Sequence, residues 1–69
     1  MYRNAKAEMV RAGLNLEKVA SGMGISGSAL SLKLNGKSPI TVNEAKQFKK
    51  IVGSDMTLEE LFKSFEEVD

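Results

Sequence analysis

The chain is 69 residues long and contains neither cysteine nor histidine, which excludes disulfides, thiolate metal sites and the commonest general base. That length accommodates one small domain, whose stability must come from packed apolar side chains. Its net charge of +1 conceals an asymmetry: residues 1–52 carry nine Lys/Arg against three Glu, a balance of +6, and residues 53–69 carry one Lys against six acids, a balance of −5. A basic body with an acidic end fits a polyanion met by the first part of the chain, although an unevenly charged solvated surface accounts for the same numbers.

In chain order, Tyr2, Ala5, Met9 and Ala12 recur at helical spacing, with Gly13 placed to end that helix. Asn15 is an N-cap for a second helix whose inner face holds Val19, Ala20 and Met23, and which ends at Gly24. Ser26 caps a third segment, "GSALSLKLN", with Leu30 and Leu34 inward and Gly36 as its stop. "GKSPI" holds the only proline and reads as a turn.

Two capping boxes follow. Thr41 with Glu44 opens a fourth helix, whose stripe Ala45, Phe48, Ile51 and Val52 runs to Gly53. Thr57 with Glu60 opens a fifth, over about 58–68, whose apolar face is Leu58, Leu61, Phe62, Phe65 and Val68. No alternating β-branched run competes, so the expected class is all-α, a compact five-helix bundle in a single domain over residues 1–69.

One motif points elsewhere. "GMGISG" at 22–27 has the G-x-G-x-x-G spacing of a dinucleotide-binding turn. Such a turn follows a buried parallel strand, whereas this one follows the helical "LEKVAS", and the acid 20 positions past Gly24 is Glu44, a helix cap. The glycines therefore read as turn and packing residues, and no cofactor is expected. Two short helices joined at Gly24-Ile25-Ser26 make a helix-turn-helix pattern over about 16–35, with Ala20 allowing close approach and Ile25 filling the corner.

These residues carry a resemblance. "LNLEKVASGMGISGSALSLKLNGKS" is similar to the helix-turn-helix of the Cro/CI-type (XRE-type) phage repressor family, and "PITVNEAKQFKKIVGSDMTLEELFKSF" resembles the last two helices of such domains. The likeness covers about residues 3–65, and "KLNGKS" and "LEELF" look most like small single-domain phage and prophage regulators. It implies a lambda-repressor-like DNA-binding domain, with the helix at about 27–35 lying in the major groove of a double-stranded operator.

By helical geometry, positions 28, 31, 32 and 35 project away from the Leu30/Leu34 stripe. The resemblance makes Ser28 a base-contacting residue; Ser31, Leu32 and Gly27 are the other candidates on that face, Leu32 toward a thymine methyl. It makes Asn35 a phosphate contact. Lys33 and Lys37 offer charge to the backbone, with Lys33 nearer the core side, while Asn15, Leu16, Thr41 and Asn43 lie at helix N-termini suited to phosphates.

Two residues depart from the family pattern. Leu16 stands where a Gln is common, and Gly27 where a long polar reader is common. No Arg, Gln or Asn lies within 26–34, so specificity is low, rests on DNA shape, or depends on Arg3 and Lys6 reaching from the N-terminal segment. Lys46, Lys49 and Lys50 are expected on the exposed face of the fourth helix, with a solvated role more in keeping than a DNA contact.

The expected function is a sequence-specific transcriptional repressor acting as a homodimer, with Phe62 and Phe65 as candidate dimer contacts. The alternative is a helix-turn-helix module used for protein binding, antirepressor or antitoxin-like, with Leu16 and Leu32 as its apolar contact. An enzyme is not expected, because no acid–base pair or nucleophile constellation can be assembled without His or Cys. With no run of about 18 apolar residues and no signal-peptide core in "MYRNAKAEM", the expected location is cytoplasmic, with no membrane partner.

Overall fold

A computed structural model describes residues 2–63 of the chain. Among the described residues the regular structure is entirely helical: α1 Arg3–Arg11, α2 Leu16–Met23, α3 Gly27–Leu34, α4 Val42–Val52 and α5 Leu58–Leu61. Local chemistry sets most of the ends. Asn15 accepts from the Lys18 N–H, and Ser26 from the Ala29 N–H, each satisfying an amide that a helix start leaves without an internal partner. Thr41/Glu44 and Thr57/Glu60 form complete capping boxes, with both reciprocal bonds present. Gly24 and Gly53 close α2 and α4 in the left-handed conformation at φ 75° and 63°, where a side chain would be strained.

The core follows from the apolar stripes. Ala5, Val19, Ala20, Met23, Leu30, Leu34, Phe48 and Val52 form one buried cluster, and Leu61 is buried as well. α2 is central, packing against α3 and α4, while α5 packs against α1 and α4. The radius of gyration, 11.0 Å, matches the value of about 11 Å expected of a chain this long packed as one body. α3 is thus backed mainly by α2, which leaves its opposite side open.

α5 is described as helical over Leu58–Leu61 only, shorter than the 58–68 expected. Phe62 is its C-cap and turns inward, meeting Tyr2 edge-on at 5.4 Å and Phe48 edge-on at 5.6 Å. Residues 64–69, and with them Phe65 and Val68, lie outside the described residues.

Polar ties join the first and last parts of this body. Asn4 Nδ2 donates to the Glu60 carbonyl at 2.7 Å. Arg11 donates from Nη2 to the Val52 and Gly53 carbonyls at 3.2 and 3.4 Å, satisfying acceptors at the end of α4 with a cation that also suits the helix dipole. Its Nε donates to Glu8 at 3.0 Å. The Glu8 carboxyl is held below its ordinary value of 4.5, first by the Ser54 hydroxyl and then by Arg11. Glu44 is likewise lowered, by the Thr41 backbone N–H and then by Lys33.

A pH dependence follows. Both folded-state values lie below the unfolded ones, so their stabilisation is complete above the ordinary carboxylate value and is lost as pH falls through the lowered values. The thermal midpoint should decline as pH falls below the ordinary carboxylate value, and less steeply in Glu8→Gln. Identical declines in the two proteins would show that Glu8 carries no linkage.

Candidate nucleic-acid interface

The open side of α3 is built by its own register. Leu30 and Leu34 are fully buried against α2 and the core, which turns Ser28 and Leu32 outward, both exposed, with Ser31 and Asn35 half-buried beside them. Leu32 is 48% exposed. Gly27 opens the helix next to α2, and a Cβ there would meet Glu17 Cγ at 3.5 Å, an ordinary contact. Packing therefore does not demand glycine at this position, and its effect is to leave the first position of α3 without a side chain.

Several residues expected at phosphates are occupied within the protein. Lys33 Nζ donates to the Pro39 carbonyl at 2.9 Å and lies 3.2 Å from Glu44 Oε1, with only 15% of its side chain exposed. It ties the end of α3 to the start of α4 rather than facing outward. Asn35 accepts from Lys6 Nζ at 2.7 Å through Oδ1, and its Nδ2 donates to Ser31 Oγ at 3.5 Å. The Asn15 side chain is used by the α2 cap and the Thr41 hydroxyl by the α4 cap.

Leu16 is half-buried and packs on the core, while Glu17 and Lys18 beside it are exposed. The expected apolar surface of Leu16 with Leu32 is consequently reduced to Leu32. Phe62, the dimer candidate within the described residues, is half-buried, its ring edge-on to Tyr2 and Phe48.

The remaining candidates sit around α3. Lys37 is exposed in the loop after it, its backbone N–H held by the Leu32 carbonyl at 2.9 Å. Asn43 is exposed in the first turn of α4, where the leading N–H groups have no partner inside the helix. Arg3 is exposed at the start of α1, and Lys6 is half-buried one turn on.

Lys46 and Lys50 are exposed as expected, whereas Lys49 donates to the Ser54 carbonyl at 3.0 Å. Together with Gly53, Ser54, Asp55 and Leu58 these lysines line an open cleft of about 570 Å³. It lies toward the other end of α4 from Asn43, since seven residues along a helix span about 10 Å. Among the described residues no cluster of three or more His, Cys, Asp or Glu is placed to hold a metal ion, and no helix is long and apolar enough to cross a membrane.

The ties of Lys6, Asn35 and Ser31, of Lys33 with Glu44, and of Arg11 with the end of α4 were missed by sequence reasoning. Each joins residues on different elements, so no local spacing announces it. No protein-family model matches the chain, and no curated protein and no solved structure matches it.

Proposed function

We propose that this chain is a sequence-specific DNA-binding regulator, a repressor of the Cro/CI type, in which α2, the Gly24–Ser26 turn and α3 are a helix-turn-helix. The observation that carries the reading is the outward face of α3. Ser28, Ser31 and Leu32 stand on a helix backed by α2 and left open opposite it. An α-helix with its side chains is about 10–12 Å across, which fits a major groove about 12 Å wide. The +6 balance of residues 1–52 supports a polyanionic partner.

In this reading Ser28, Ser31 and Leu32 meet base edges. Lys37 and the amides at the starts of α2 and α4 meet phosphates, while Lys33 only braces α3. The protein acts in the cytoplasm as a non-enzymatic homodimer, because one such domain covers a half-site and two read half-sites about one helical turn apart. A protein-binding role has one specific support, the exposed Leu32 side chain.

The test is affinity for duplex DNA at several salt concentrations. Lys37→Ala should lower the log–log salt slope by about one, whereas Lys33→Ala should leave the slope unchanged and lower the thermal midpoint. An unchanged slope in Lys37→Ala removes that residue from the phosphate contacts, and binding with no salt dependence at all would refute the DNA reading. Ser28→Ala should weaken binding to a selected site by about tenfold and leave random DNA untouched; equal losses on both would count against base contact by Ser28.

A further inference from the structure

The Lys6, Asn35 and Ser31 chain has a direction that elementary hydrogen-bond chemistry decides. A lysine ammonium has donors and no acceptor, so the 2.7 Å contact from Lys6 Nζ requires the oxygen of the Asn35 amide to face α1. The amide nitrogen then faces Ser31 and donates to its Oγ at 3.5 Å. Ser31 Oγ receives a hydrogen bond from inside the protein through one of its two lone pairs, so its O–H is not spent on Asn35 and can be presented outward.

The backbone holds this chain in place. The Tyr2 N–H donates to the Leu34 carbonyl at 2.9 Å, fixing the start of α1 to the end of α3. All three side chains are half-buried, so the arrangement is shielded on one side and open on the other.

We propose that Lys6 is a specificity-determining residue: by holding the Asn35 carbonyl oxygen, it keeps the Ser31 O–H available to donate toward DNA. This rests on the DNA-binding reading above. A donor at that place is satisfied by the major-groove acceptors, N7 and O6 of guanine, N7 of adenine and O4 of thymine. Without Lys6, the Asn35 amide can turn over and accept from Ser31, and the hydroxyl then presents lone pairs instead. Lys6 acts on base choice without touching a base.

Lys6→Met removes the donor and the charge, and Lys6→Arg retains both. The ratio of affinities for a selected site and for random duplex separates donor direction from charge, since loss of charge alone lowers both affinities. The ratio should fall about tenfold in Lys6→Met and hold in Lys6→Arg. A ratio unchanged in Lys6→Met overturns the proposal, whatever the absolute affinities.

A second readout needs no DNA. In the free protein the Asn35 side-chain amide resonances should move in Lys6→Met, with backbone amides elsewhere in place; unmoved Asn35 resonances would overturn the tie itself. Failure of the unaltered protein to select any site would refute the DNA reading and the role given to Lys6 with it, while the Asn35 resonances would still report whether the tie exists.

Discussion

Phe48→Ala should leave the domain largely unfolded at physiological temperature. Phe48 is fully buried and is the largest of the fully buried side chains among the described residues. It lies on the inner stripe of α4 and meets Phe62 edge-on at 5.6 Å. Truncating a buried phenylalanine to alanine costs about 3–5 kcal/mol in lost transfer energy and cavity. A domain of this length holds roughly 3–10 kcal/mol in total, so the loss takes most or all of it. Phe48→Leu, which refills much of the space, should retain a cooperative transition. Urea denaturation followed by circular dichroism checks both, and a Phe48→Ala unfolding free energy within about 1 kcal/mol of the parent protein's would mean that the core is not centred where the structure puts it.

The second large effect belongs to the turn. Gly24 has φ 75° and ψ 26°, and its N–H bonds the carbonyls of Ala20 and Ser21. A Cβ placed there meets nothing within 4 Å, so substitution has no steric clash to confound it and reports backbone strain alone. A non-glycine residue held in the left-handed region costs about 1–3 kcal/mol, with β-branched residues at the upper end and asparagine at the lower. The series Gly24→Asn, Gly24→Ala and Gly24→Val should therefore lose stability in that order. Because the same turn sets how α3 leaves α2, DNA affinity should fall in the same order, and more steeply than the thermal midpoint alone explains. Equal midpoints across the series would show that the turn does not need the left-handed conformation.

The helices were legible in the sequence because their ends are written locally. Asn15, Ser26, Thr41 with Glu44 and Thr57 with Glu60 each act over three residues, within reach of a pattern read along the chain. The glycine motif also resolves locally: Gly24 makes the turn and Gly27 begins α3. Gly22 leaves room inside α2 for Ile51, whose Cδ1 would lie 3.0 Å from a Cβ there.

What the sequence did not disclose depends on how the helices cross. Lys33 reads as a cation for the DNA backbone, nearer the core side than Lys37, until α4 brings Glu44 to 3.2 Å. Lys6 and Asn35 are 29 positions apart, and only the packing of α1 over the end of α3 makes them partners. Phe62 continued the apolar stripe of the fifth helix on paper. In the folded chain Tyr2 and Phe48 draw it inward, and no periodicity reports a partner 60 residues away. The outward face of α3 was read correctly in register because Leu30 and Leu34 fix it. Which of its polar groups are already occupied was not, because their partners come from other elements.

Repeated selection of bound duplexes from a random-sequence library asks whether α3 reads DNA sequence, as proposed. If it does, a two-fold symmetric site with half-sites about 10 base pairs apart is enriched and bound with an affinity that falls steeply with salt. A library that stays unenriched after repeated rounds would contradict the proposal, and would turn attention to the exposed Leu32 as a contact for another protein.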